Sequence, residues 1–369
     1  MHRRHFLQAT TAALCAAARI DRLIAAEPSS AGIAPIGERM QSLETAAPLA
    51  MQFVGRTADE ARQWQAQFAA RLNELLGPYR PPEKWDCILE RRVELSDHVR
   101  EERVLSAAGI APVPFHLLLP REAKKSSPGI VALHGHSQTA NDYVAGLDET
   151  PECRAEIARY GDYGRLLVRR GYVVIAPCLT PFGRRLCNPS AKRGDTCTLV
   201  NLQLQYLGKL LIAENLRDIL WSVEFLARHE AVDPQRIGCV GLSLGGRMTM
   251  LAAAVEPRIR AAVISGGLNC LQERALNVSV SGCQSIPGLL NYGDVPEISA
   301  LIAPRPCVWE VGVKDGLIKP DWAEKALERQ RRVYSALGAA DQIYVDRHDG
   351  GHQWHGTLAY QILDKALRG

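Results

Sequence analysis

Six residues, Gly241-Leu242-Ser243-Leu244-Gly245-Gly246, restrict the fold of this 369-residue chain more than any other stretch. They follow Arg236-Ile237-Gly238-Cys239-Val240, a short apolar run with the character of a buried strand. They precede Arg247-Met248-Thr249-Met250-Leu251-Ala252-Ala253-Ala254, which reads as the start of a helix. A strand that passes into a helix through G-x-S-x-G must turn very sharply. Glycines two before and two after the serine leave room for that turn, because a Cβ there would meet the neighbouring strand or helix. The serine hydroxyl is then lifted above the sheet edge, beside a helix N-terminus.

The chain is long enough for a large core: 47% of its residues are hydrophobic. The net charge is +4, with no Lys/Arg block beyond the N-terminus, so nucleic acid is not an expected partner. No run of about 18 apolar residues occurs, so no membrane span is expected in the mature protein. Residues 1–26 resemble an export leader of the twin-arginine type. Arg3-Arg4 is followed by Phe6-Leu7 and by the Ala-rich run from Ala9 to Ala18, with Ile24-Ala25-Ala26 before Glu27 for cleavage and Ala18 as the other site. An exported, periplasmic or extracellular protein is expected.

Export permits disulfides. Of ten cysteines, nine remain without Cys15. Cys270 and Cys283 bracket a short loop, and Cys178, Cys187 and Cys197 crowd one segment, so at least one bridge is expected among them. Cys239 and Cys307 fall in apolar runs and read as small core residues. No C-x-x-C pair occurs, so no metal site is expected and no cofactor is implied. His348, Asp349, His352 and His355 cluster near the C-terminus, but without a fixed ligand geometry.

Along the chain, residues 27–86 read as an N-terminal arm and helix, and residues 87–369 as a catalytic domain. Residues 27–56 show little periodicity and suggest an extended arm. Thr57 to Leu76 carries Trp64, Phe68, Leu72 and Leu76 at helical spacing, with Gly77-Pro78 as its stop. Candidate strands follow at 87–95, 102–107, 113–119, 129–133, 172–176, 237–240, 261–265, 307–311 and 342–346. One long helical stretch is expected over 201–229, and a helix over 321–337. Apolar strands alternating with helices imply a mostly parallel sheet covered on both faces.

A serine is a weak nucleophile unless a base, an orienting acid and oxyanion donors surround it. Asp315 lies just past the 307–311 strand and fits the acid; Asp294 and Asp321 are weaker rivals. His352, after Asp349-Gly350-Gly351 and the last strand, fits the base. The order Ser243, Asp315, His352 is the chain order of a strand-end triad. Backbone N–H groups of Leu244, next to the serine, and of His136, in the loop after the 129–133 strand, fit the oxyanion donors. His134 reads as a packed, hydrogen-bonded histidine. Trp354 is a candidate platform for a sugar or aromatic ring, whereas Trp309 on a strand reads as core. The insertions 139–163, 180–198 and 268–300 should shape the substrate pocket. Arg184, Arg185, Lys192 and Arg193 in the second could meet an acidic sugar or form a solvated face.

Together, His134-Gly135-His136-Ser137-Gln138, Gly241 to Gly246, Lys314-Asp315-Gly316 and Gly351-His352 resemble the α/β-hydrolase superfamily. Ile286 to Asp294 and Leu301-Ile302-Ala303-Pro304-Arg305-Pro306 are similar to a segment of its exported acetyl xylan esterase and dienelactone-hydrolase-like group. The likeness covers residues 87–369. It implies an α/β-hydrolase fold, with a mostly parallel eight-stranded sheet and loop insertions above the strand C-terminal ends. It implies a serine carboxylic-ester hydrolase acting on a small-molecule or carbohydrate ester. Dienelactone hydrolases proper are expected to use cysteine where this chain has Ser243, which favours an acyl-serine. A serine peptidase of the oligopeptidase type uses the same triad, but too few residues precede the domain for a propeller gate. A non-catalytic hydrolase-like binding protein should lack a triad member. Acyl length and oligomeric state are not legible.

Overall fold

The computed structural model describes residues 36–122, 126–186, 196–273 and 281–369. The expected leader (1–26), Cys15, Cys187, Lys192 and Arg193 lie outside these residues. Residues 1–46 and 47–369 form separate units. In the first, Ile36–Thr45 is a helix rather than part of an extended arm. Ile36, Met40 and Leu43 stand four and three residues apart, a helical period too brief to stand out from its surroundings.

The second unit opens with a helix, α1 (Ala58–Leu76), whose start is closed by a capping box. Glu60 donates its N–H to the Thr57 hydroxyl at 3.3 Å, and Thr57 returns its N–H to the Glu60 carboxylate at 2.9 Å. Ala61, Trp64, Phe68, Leu72 and Leu76 make the buried stripe that seats α1 on the core. The left-handed Gly77 ends the helix.

Nine strands form one sheet, in the order β1-β2-β3-β5-β4-β6-β7-β8-β9. β1 (Asp86–Glu94), β2 (His98–Ala107) and β3 (Ile110–Pro120) run antiparallel, and β3 pairs antiparallel with β5 (Val173–Pro177). From there β5, β4 (Ser127–Leu133), β6 (Val232–Leu242), β7 (Ile259–Ser265), β8 (Cys307–Gly312) and β9 (Ile343–His348) are parallel. The expected count of eight is thus one short. All nine candidate strands of the sequence are present, and β1, at the 87–95 candidate, is an edge strand with mostly exposed residues that pairs with β2 alone.

Side-chain alternation along the parallel strands builds two cores. Cys239, Ala262 and Ile264 face one cluster, whose helices include α1, α2 (Leu211–Arg228), α3 (Leu244–Val255) and α4 (Pro320–Ala336). Val240, Leu242, Ala261 and Val263 face the other, covered by residues of Tyr163–Arg169 and of α5 (Thr357–Arg368). The stretch 201–229 is two helices and not one. Thr196–Gln205 ends before Gly208, whose left-handed backbone (φ 67°) breaks the rod, and α2 then begins at Leu211. Among the described residues no helix is long and apolar enough to cross a membrane. None of the eight described cysteines is joined in a disulfide, so the expected bridge does not form among them. Cys239 and Cys307 are buried on β6 and β8, as anticipated.

Candidate active site

Ser243 sits between β6 and α3 with φ 61° and ψ −116°, a left-handed backbone for a residue with a Cβ. Such a conformation costs about 1–3 kcal/mol and persists only where its surroundings enforce it. The three glycines of the turn are that enforcement. A Cβ on Gly245 would lie 2.0 Å from the Leu133 carbonyl oxygen, one on Gly241 would lie 2.4 Å from Gly245, and one on Gly246 would lie 2.6 Å from the Ser265 carbonyl oxygen. The turn is therefore pressed between the ends of β4 and β7. The Ser243 N–H donates to the Ser265 carbonyl at 2.9 Å and fixes the remaining freedom.

The Asp315 carboxylate accepts from His352 Nδ1 at 2.7 Å. Its other oxygen accepts the Leu317 N–H at 2.9 Å, so the carboxylate, itself buried, has one orientation. With an acceptor on Nδ1, the proton resides there and Nε2 presents its lone pair. Nε2 is shielded from solvent and has no hydrogen-bond partner among the described residues. The ring packs on Gly266, the residue after β7, where a Cβ would lie 2.7 Å from Cε1. Gly266 (φ 61°) thus makes room for the imidazole beside the turn that carries Ser243. Glu310 on β8 holds the loop beyond the histidine, accepting the N–H groups of His355 at 3.2 Å and Gly356 at 2.6 Å. Burial raises its carboxyl above the usual carboxylate range, and those N–H donors oppose the rise.

The loop after β4 passes directly over the turn: a Cβ on Gly135 would lie 3.2 Å from Ser243 Cβ. Gly135 donates its N–H to the Tyr143 hydroxyl at 3.0 Å, so that donor is occupied, and the next N–H belongs to His136. Leu244 opens α3, where the first N–H groups have no intrahelical acceptor. Leu244 thus follows the serine directly, and Gly135, the neighbour of His136, lies over it. His134 is fully buried, contacting the Gly135 carbonyl through Nδ1 at 2.7 Å and accepting the Leu179 N–H on Nε2 at 2.9 Å. Desolvation lowers its pKa to about 4, so it is a neutral structural residue.

Several sequence candidates stand elsewhere. Asp294 is a helix cap: it accepts the N–H groups of Leu271 and Val295 at 2.8 and 2.7 Å and is wholly buried. Trp354 is not brought to the group. It is 6% exposed, stacked on Tyr163 with centroids 4.8 Å apart, and donates to the Tyr360 hydroxyl at 3.1 Å, which leaves no face for a sugar. Trp309 is core, its indole N–H bonded to Gln330 at 2.9 Å. Arg184 is committed to Glu90 at 2.5 and 3.0 Å, and Arg185 to buried Asp218 at 2.6 Å, so neither offers a free cation to an acidic sugar. His348 and His355 stack on each other, and His355 contacts Asp346 at 2.9 Å.

Sequence reasoning missed two groups. One is the tyrosine brace, Tyr143 on Gly135 and Tyr163 on the Leu133 carbonyl at 2.5 Å. The other is the cluster His136, Cys197 and Cys283, from segments far apart in the chain. Neither has a local spacing that could reveal it.

A cleft of about 620 Å³ adjoins His136, lined by Ser137, Gln138, Glu156, Phe182 and Leu186 among others. A larger one, of about 740 Å³, lies among Arg56, Glu324, Lys325, Glu328 and Arg331 and touches none of the candidate catalytic residues.

A strained serine between strand and helix, at the C-terminal edge of a parallel sheet with an Asp–His pair beside it, defines an α/β hydrolase. The profile of the Abhydrolase family matches residues 29–323, and the chain belongs to that family. It is 28% identical over 304 residues to YtaP, a provisionally named hydrolase of Bacillus subtilis (strain 168), covering 81% of this chain and 97% of the relative. Its fold resembles a provisionally named acetyl xylan esterase of Bacteroides fragilis, with a TM-score of 0.72, 18% identity and coverage of 88% and 84% of the two chains. It also resembles a glucuronoyl esterase of Solibacter usitatus, with a TM-score of 0.61, 16% identity and coverage of 84% and 94%.

Proposed function

We propose that this protein is a serine carboxylic-ester hydrolase working through an acyl-enzyme, with Ser243 as nucleophile, His352 as base and Asp315 as its orienting acid. The observation that carries the reading is the His352–Asp315 pair, 2.7 Å apart, beside a backbone strained at Ser243. His352 Nε2 takes the hydroxyl proton as Ser243 Oγ attacks the ester carbonyl. Charge developing on the carbonyl oxygen is met by the N–H groups of His136 and Leu244. The alcohol leaves with the proton from His352, and a water activated by the same nitrogen releases the acid. Ser243 Oγ makes no hydrogen bond among the described residues; such contacts commonly tighten only with substrate bound.

The substrate class is an acetylated carbohydrate. The support is that fold neighbours are named for acetyl xylan and glucuronoyl esters, and that the cleft beside His136 has room for a sugar. Residues 1–26 act as a twin-arginine leader and the enzyme works outside the cytoplasm, on the strength of Arg3-Arg4 and the Ala-rich run that follows. The catalytic domain spans residues 87–369, and two helices, Ile36–Thr45 and α1, precede it in the chain.

Hydrolysis of an aryl acetate, acetylated xylan and a peptide amide would be compared, with Ser243→Ala as control. The expected result is turnover of both esters, little of the amide, and none by the variant. Amide cleavage faster than ester cleavage would favour a peptidase, and no turnover of any would favour a binding protein.

A further inference from the structure

His136 Nε2 lies 3.1 Å from both the Cys283 sulfur and the Ser281 hydroxyl, and that hydroxyl lies 3.1 Å from the same sulfur. The Cys197 sulfur completes the group: the ligand atoms of His136, Cys197 and Cys283 all lie within 4.8 Å of one another. Both cysteines are buried, and the histidine, half-buried, borders the cleft. The packing that gathers them is specific. A Cβ on Gly282 would lie 2.6 Å from Thr198 Cα, and the Gly282 N–H donates to the Thr198 hydroxyl at 3.3 Å. Only a glycine permits the approach that sets Cys283 against Cys197.

Two thiols and an imidazole converging from three segments are a borderline-soft donor set, the kind that selects zinc over magnesium or calcium. A tetrahedral zinc with bonds of about 2.0–2.3 Å spaces neighbouring ligand atoms about 3.5 Å apart; His136 Nε2 and Cys283 Sγ stand at 3.1 Å, and all three ligand atoms lie within 4.8 Å of one another. We propose that His136 Nε2, Cys197 Sγ and Cys283 Sγ bind one zinc-class divalent ion that fastens the loop after β4 to the helix Thr196–Gln205 and to the turn at Gly282. Binding breaks two S–H bonds, passes one proton from each thiol to solvent, and forms two metal–sulfur bonds and one metal–nitrogen bond. The dication and two thiolates leave a neutral centre, and the fourth position faces Ser281 or water.

The test does not depend on turnover. Tag-free, reduced full-length protein, stripped with a chelator, would be titrated with Zn²⁺ against a chromophoric competitor and separately with Co²⁺. One equivalent should bind. Co²⁺ should give a thiolate-to-cobalt charge-transfer band, and Cys197→Ser and Cys283→Ser should each weaken zinc binding by about 100-fold or more. The cobalt band is read on the unaltered chain and stands even if a variant misfolds. Absence of that band, its persistence in both variants, or a peptide map joining Cys197 to Cys283 by a disulfide in protein isolated without reductant would overturn the proposal.

Discussion

The Tyr143 hydroxyl accepts the Gly135 N–H at 3.0 Å, directly beside Ser243. One hydrogen bond thus consumes the first donor of the loop after β4 and leaves the N–H of the next residue, His136, as the proposed oxyanion donor. Burial pushes the Tyr143 hydroxyl up to about 12, so it stays protonated through the working pH range. Tyr143→Phe should lower kcat by about ten- to a hundredfold with little change in KM, because a misaimed donor weakens the transition state more than the ground state. Steady-state kinetics on an aryl acetate would check this; an equal rise in KM with kcat intact would point to ground-state binding instead.

The Asp315–His352 bond holds the imidazole of the proposed base in one tautomer. Asp315→Asn should reduce kcat by about 10⁴-fold while the fold stays intact, since the amide can donate to Nδ1 and so place the proton on the wrong nitrogen. Far-ultraviolet circular dichroism alongside the rate measurement separates this from unfolding.

His134 predicts a pH dependence of stability. The unfolded imidazole takes up a proton near pH 6.5, whereas the folded one stays neutral to about 4. Between those values the unfolded chain binds more protons, so stability falls as pH falls, by about 1.4 kcal/mol per unit. From pH 6.5 to 5 this group should remove about 2 kcal/mol. Urea unfolding of the wild type and of His134→Gln would show the slope and its loss; parallel curves would contradict the assignment.

Trp354 tests the boundary between core and pocket. With its ring stacked on Tyr163, Trp354→Ala should cost about 3–5 kcal/mol, and Trp354→Phe should leave KM for a sugar ester unchanged. A large rise in KM for Trp354→Phe with stability retained would return the residue to the pocket.

The elbow was legible because its requirement is local: Gly241, Gly245 and Gly246 are each demanded by backbone within 3 Å of an added Cβ. The Asp315 and His352 positions were legible because strand-end loops occur in a fixed chain order. Helix α1 was legible through its apolar stripe and its Gly77-Pro78 stop. What escaped was set by tertiary packing. Trp354 read as a candidate platform for a sugar or aromatic ring, yet Tyr163 and Tyr360 cover it. The break between Gln205 and Leu211 turns on one left-handed glycine within an otherwise helical stretch. The tyrosine brace and the His136–Cys197–Cys283 group join distant segments, and no periodicity records such meetings.

The central claim is that Ser243 is the nucleophile. The most direct measurement is intact-mass and peptide mapping after treatment with a fluorophosphonate, on the wild type and on Ser243→Ala. The account predicts one phosphonate per chain, mapped to the peptide carrying Ser243, and none on the variant. Equal labelling of the variant, or an adduct on another residue of the wild type, would contradict it.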